Sequence, residues 1–205
     1  MMNGNMEQIY GLINRMVAIS FDISVTRTGW TALKGMNVIL YGAIEIPEKY
    51  KKLTHKQPEF GELLHWYTQE IESIVRKVYT ITKRIDIAVV EDLNVRFVPM
   101  GKAIMQVHGA VKIGIIMGCA LTKIIAVNNK TVKSLFEIID RKKLIPEEIV
   151  AKAKAEKVKP VKVQMVDVIN RMYPHMNLSY QENDEADAVA LAITALKMIG
   201  ESADG

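Results

Sequence analysis

Hydrophobic and polar positions along the chain change period several times, and each change marks an element. Val17, Ile19, Phe21 and Ile23 alternate with Ala18, Ser20, Asp22 and Ser24, the period of two expected of a strand. Gly29–Lys34 and Met36–Ile46 are two further strand segments, with Lys34-Gly35-Met36 as the turn between them, so the three predict a meander. From Phe60 to Lys83 the period lengthens. Phe60, Leu64, Tyr67, Ile71, Ile74, Val78 and Ile81 recur at three- and four-residue steps, an apolar stripe on a helix of about six turns. Asp86–Val90 is a short, continuously apolar run that ends at Glu91, as in a strand covered on both faces.

Gly101–Cys119 reads as a second helix, and Gly101, Ala103, Gly109, Ala110, Gly114 and Gly118 would let it approach a neighbour closely. Thr122–Val127 is a fifth strand, and Asn128-Asn129 opens the next element. Residues 135–157 are charged and contain Pro146 as the first-turn proline of a short helix, so they read as an inserted or flexible arm. Val161–Tyr173 and Asp184–Ile199 are amphipathic helices, and residues 1–14 form a leader without a clear period. The order βββαβαβ followed by helices predicts a single α/β domain over residues 15–205, with no internal repeat.

Composition narrows this picture. With 205 residues and 49% hydrophobic content the chain can bury a real core and is neither disordered nor fibrous. The lone Cys119 lies in an apolar segment, where a thiol acts as a small buried hydrophobe, and no internal disulfide can form. No basic head with a long apolar run opens the sequence. The longest uncharged apolar segment, Ile113–Thr122, is too short to cross a bilayer, so a soluble, cytoplasmic protein without a membrane partner is expected.

The net charge of +4 and pI near 9.0 coexist with 23 acidic residues, a balance compatible with nucleic acid. The densest basic run, Ala151–Lys162, carries Lys152, Lys154, Lys157, Lys159 and Lys162, which a solvated helix would also explain. His55, His65, His108 and His175 lack the paired spacing of a zinc site. GxxxxGK[ST], GxGxxG and GxSxG are all absent, so no nucleotide cofactor is expected.

The acidic residues that violate propensity carry the chemistry. Asp22 interrupts a strand, Glu91 closes one, and Asp184 and Asp187 open a helix at the i, i+3 spacing that puts both on one face. Each has an ordinary role open to it: a turn, a sheet edge, a helix cap. Together they mean more. If the first strand is central and the fourth lies beside it, these groups converge, and carboxylates without a basic partner repel each other unless a cation joins them. Mg²⁺ suits hard oxygen ligands and substrate phosphates, and two such ions could drive in-line phosphoryl displacement.

Three segments resemble the RuvC family of Holliday-junction resolvases, within the ribonuclease-H-like nucleases. AISFDISVTRTGW has the Asp followed six residues later by Thr-Gly-aromatic, here Asp22 and Thr28-Gly29-Trp30; Ile23-Ser24 replaces the family's Pro-Gly. AVVEDLNVRF precedes the small-residue helix QVHGAVKIGIIMG, and DEADAVALAITA matches the final Asp-x-x-Asp-Ala helix. The similarity spans Val17 to Lys197, and the arm and leader point to a viral or phage-type member.

The resemblance implies a mixed five-stranded sheet, with an antiparallel β1-β2-β3 followed by β4 and β5, flanked by helices. It implies Asp22, Glu91, Asp184 and Asp187 as catalytic metal ligands for two Mg²⁺, with Mn²⁺ as substitute; Asp22 and Asp187 would share the metals while Glu91 and Asp184 complete the shell. Lys133 and Lys159, with Lys162 as the alternative, would hold DNA phosphates. Asn94 stands nearest to the family's base-contacting aromatic, with Phe97 as substitute. Glu185 is held in reserve, because helix geometry turns it about 100° from Asp184.

The implied activity is Mg²⁺-dependent cleavage of four-way junctions, and of other branched DNA, to 5′-phosphate ends in recombination and repair by a two-fold homodimer. Two other readings compete. An inert branched-DNA-binding module would have no reason to keep four carboxylates facing phosphates, and an actin-like ATPase would need glycine-rich phosphate loops that the chain lacks.

Overall fold

The computed structural model describes residues 11–93, 101–141 and 144–203. Five strands form one sheet: β1 (Val17–Asp22), β2 (Arg27–Lys34), β3 (Asn37–Glu45), β4 (Ile87–Glu91) and β5 (Lys123–Val127), in the order β3-β2-β1-β4-β5. The meander β1-β2-β3 is antiparallel, whereas β4 is parallel to β1 and β5 to β4. Gly35 makes the β2–β3 turn possible: its φ is 57°, in the left-handed region, and its N–H donates to the Met16 carbonyl at 2.8 Å.

Register positions the acidic residues. Phe21 lies opposite Val90, so one residue further on both parallel strands present a carboxylate, Asp22 and Glu91, at the same edge. On the other side of β1, Asp22 lies opposite Gly29.

Among the described residues the longer helices are α1 (Phe60–Thr82), α2 (Gly101–Gly118), α3 (Asn129–Leu135), α4 (Glu147–Ala155), α5 (Pro160–Met172) and α6 (Asn183–Ala203). Helices α1 and α2 bury one face of the sheet around Val17, Ile19, Phe21, Ala88 and Val90. The opposite face, with Ala18, Leu33, Ile87 and Val89, packs against residues of α3, α5 and α6. Burying β1 on both faces explains why even its small, polar positions are inaccessible, Ser20 among them.

The apolar stripe of α1 follows the predicted one at Phe60, Tyr67, Ile71 and Val78 and departs from it at two inner positions and at its end. Phe60, Leu63, Tyr67, Ile71, Val75 and Val78 are buried, Leu64 and Ile74 lie at the margin of the core, and Ile81 is 52% exposed. The glycines of α2 divide by function. A Cβ on Gly114 would lie 2.6 Å from the Thr68 carbonyl oxygen and one on Gly118 2.6 Å from Val75, so these two allow the close α1–α2 crossing, whereas Gly109 faces open space.

The described residues of the 135–157 segment are tied to the core. Phe136 and Ile138 are buried in it, the Gln164 side chain pairs with both backbone groups of Ile139 at 3.0 and 2.9 Å, and α4 docks on α5 through Lys152 and Asp167. Pro146 is the N-cap of α4 and not a first-turn residue. Among the described residues no helix is long and apolar enough to cross a membrane.

Candidate active site

The end of β1, the end of β4 and the start of α6 meet at one edge of the sheet. What lets α6 come so close is a set of small residues. Ala186, Ala188, Ala190 and Ala192 are fully buried, Ser20 of β1 donates its hydroxyl to the Ala188 carbonyl at 2.5 Å, and Gly29 of β2 faces the Asp184 backbone. A Cβ at Gly29 would stand 2.1 Å from the Asp184 carbonyl oxygen. The Thr-Gly-aromatic motif thus has a steric basis: it opens the space in which the Asp-bearing helix end sits.

Asp22, Asp184 and Asp187 bring carboxylate oxygens within 4.8 Å of one another. The i, i+3 spacing works as expected, since Asp184 and Asp187 reach the same cavity. This cavity, about 360 Å³, is lined by Asp22, Glu91, Asp184, Asp187 and the lysines Lys133, Lys159 and Lys162. Glu91 stands in the same cavity outside the tight triad, and its Oε1 accepts from Asn129 Nδ2 at 2.7 Å. Behind the site, the buried Tyr67 hydroxyl donates to the Ser24 carbonyl at 3.0 Å and so pins the segment that follows Asp22.

The premise that the carboxylates lack a basic partner does not hold. Lys162 Nζ lies 3.8 Å from Asp22 Oδ2 and 3.4 Å from Asp184 Oδ1, and it ion-pairs directly with Asp187. Its anchorage on α5 follows from Lys159 at the N-cap and Pro160 in the first turn, which start that helix at the cavity wall. A lysine in a lysine-rich run looks like solvated surface, and only the fold turns this one inward.

Even so, the cluster is short of positive charge. Burial pushes the Asp22 carboxyl well above the usual carboxylate range, Asp187 adds to the shift, and Lys162 offsets it only in part. Burial likewise raises Asp187 despite Lys162. For Lys162, burial alone would favour the neutral amine, but Asp187 and Asp22 outweigh it and hold the ammonium charged.

Arg27 is the residue that the sequence reading missed. Its guanidinium pairs with Asp184 at 2.9 Å and with Glu185 at 2.6 Å, and its Nε lies 3.5 Å from Glu45. Burial opposes its charge, yet the bonds to Glu185 and Asp184 keep it firmly protonated. Glu185 is therefore a structural partner that locks α6 onto β2, and not a reserve ligand. Glu182 is structural too, closing a capping box with Ser179 at 2.8 Å. Lys133 pairs with Asp140 at 3.4 Å while still lining the cavity. Asn94 and Phe97 lie outside the described residues.

The donor set fits a hard divalent cation. Three carboxylates converge with neither thiol nor imidazole among them, their burial leaves them short of counter-charge, and an ammonium already sits where a cation is favoured.

No protein-family model matches the sequence, and no curated protein matches it. Solved structures do. Thermus thermophilus RuvC in complex with a Holliday junction substrate superposes with a TM-score of 0.55 at 15% identity, covering 89% of this chain and 94% of that one. Thermus thermophilus RuvC alone gives a TM-score of 0.54 at 15% identity, covering 89% and 95%. The chain therefore has a RuvC-like α/β fold, with the mixed five-stranded sheet that the resemblance implied. These likenesses lend no support to a viral or phage origin.

Proposed function

We propose that the protein is a divalent-metal-dependent, structure-selective DNA endonuclease that resolves four-way junctions. The observation that carries this reading is the convergence of Asp22, Asp184 and Asp187 within 4.8 Å, beside Glu91 and three lysines, at the sheet edge of a RuvC-like fold. Two divalent ions, Mg²⁺ with Mn²⁺ as substitute, would be held by Asp22, Glu91, Asp184 and Asp187 and would supply an activated water and charge stabilisation at the scissile phosphate.

The chain's own residues do the rest. Lys133 and Lys159 rim the cavity and hold the backbone of the scissile strand, giving affinity without sequence information and a steep dependence on salt. Asn129 holds the Glu91 carboxylate in one orientation, and Arg27 does the same for Asp184. Water is the nucleophile, so hydrolysis leaves a 5′-phosphate and a 3′-hydroxyl without a covalent intermediate.

Two symmetric cuts on a near-symmetric junction call for two copies related by a two-fold axis. The outer face of α2 offers a surface for that pairing, since Met105, Ile113, Ile116 and Met117 are about half exposed and Leu121 beyond it is 96% exposed. The test uses an end-labelled four-way junction with Mg²⁺. Paired nicks in opposing strands, lost on adding EDTA and absent from a linear duplex of the same sequence, are expected. Binding without cutting, at any Mg²⁺ or Mn²⁺ concentration, would favour an inert branched-DNA-binding module instead.

A further inference from the structure

We infer that Lys162 is a displaceable counter-ion of the metal site: its ammonium fills the carboxylate cluster while no divalent ion is bound and is expelled when one arrives. The inference rests on the metal-site reading above and concerns what this chain does before the metal is there.

Lys162 and a divalent ion would compete for the same oxygens. Lys162 Nζ lies within 3.8 Å of an oxygen on each of Asp22, Asp184 and Asp187, the same three carboxylates that converge within 4.8 Å. A divalent ion needs those groups, and an ammonium beside it would meet strong like-charge repulsion at contact distance. The two cations are therefore alternatives. Arg27 is not in the same position, because it approaches Asp184 from the β2 side and is anchored by Glu185 and Glu45.

Lys162 is also built to leave. Its four-carbon side chain is flexible, it is 28% exposed, and it springs from the first turn of α5 at the cavity wall. A swing outward carries the ammonium toward the part of the cavity lined by Lys133 and Lys159. There a DNA phosphate can replace the carboxylates as its partner. Lys162 thus keeps the empty site from repelling itself apart and, once displaced, adds to the phosphate-holding rim.

The test measures Mn²⁺ binding to the full chain without DNA, by loss of the free-ion electron paramagnetic resonance signal. Lys162→Met, similar in length but uncharged, should bind Mn²⁺ about ten- to hundredfold more tightly than the wild type, in the range of an intramolecular coupling. Lys162→Arg, which keeps the charge, should not. Lysine acylation read by mass spectrometry follows the side chain itself. Lys162 should be protected in the metal-free protein and become reactive on saturation with Mg²⁺, with Lys133 and Lys159 as internal references.

If Lys162→Met destabilises the metal-free fold, the rise in melting temperature at one fixed Mn²⁺ concentration should be larger in the variant than in the wild type, whereas a packing defect that leaves the affinity unchanged would give equal rises. Equal Mn²⁺ affinity in wild type and Lys162→Met, or acylation of Lys162 that ignores Mg²⁺, overturns the inference while leaving the nuclease reading intact. Tighter binding in the variant without junction cleavage by the wild type supports the inference and sinks the nuclease reading. Absence of Mn²⁺ binding in both proteins refutes both.

Discussion

A methyl group at position 29 would sit 2.1 Å from the carbonyl oxygen of Asp184, 2.2 Å from its carbon and 2.7 Å from the amide nitrogen of Glu185. All three are backbone atoms, so no side chain can turn aside to make room. Relief to ordinary contact, from 2.1 Å to about 3.4 Å, requires the N-terminus of α6 to move out by about 1.3 Å, and overpacking of this kind costs about 1–3 kcal/mol. For a chain of this size that lowers the melting temperature by about 2–12 °C.

The displacement has a second consequence, because Asp184 and Asp187 ride on that helix end while Asp22 stays on β1. A misplacement of about 1 Å can cost about a hundredfold in rate. Gly29→Ala should therefore lower junction cleavage far more than junction binding, which depends on the lysine rim. Thermal unfolding gives the first quantity, and single-turnover cleavage beside a gel-shift titration gives the second. A Gly29→Ala protein with wild-type stability and cleavage would refute the claim that Gly29 sets the seating of α6.

Arg27→Met should cost about 3–5 kcal/mol, since it strands Glu185 with only 4% of its surface exposed, and the double change with Glu185→Leu should recover most of the loss; denaturant titration of the three proteins checks this. Asn129→Ala frees the Glu91 carboxylate and should reduce cleavage about ten- to a hundredfold with DNA binding unchanged, measured on the same junction. His108 gives a pH dependence of stability. Burial, then Lys112, lowers it to about 4, so the folded chain holds it neutral while the unfolded chain takes up a proton below about 6.5. Its contribution is complete above that pH and is lost as pH falls toward about 4, a change of about 1–3 kcal/mol after solvent screening. His108→Leu should flatten that part of a stability-against-pH profile.

Much of this arrangement is legible in the sequence because it depends on local period. Asp22 in a strand of small residues, Glu91 at a strand end and the i, i+3 pair Asp184 and Asp187 are each visible within a few positions of chain. What local period cannot carry is pairing across distance. Arg27 meets Asp184 across 157 residues, and nothing near Arg27 in the chain distinguishes it from a solvated strand end. Lys162 is visible as a lysine but not as the partner of three carboxylates, because its inward direction is set by the docking of α5 on α6. The stripe of α1 departs from the predicted one for a similar reason: the sheet and the glycine face of α2 jointly decide which residues are covered, so Leu63 and Val75 are buried ahead of Leu64 and Ile74, and Ile81 runs out into solvent at the helix end.

The most direct measurement is cleavage of an end-labelled four-way junction by Asp187→Asn beside the wild type in Mg²⁺. The substitution keeps the side chain's shape and removes the charge that completes the triad with Asp22 and Asp184. Paired nicks in opposing strands are expected from the wild type, and undiminished junction binding with no nicks from Asp187→Asn. Equal cutting by the two proteins would contradict the site assignment.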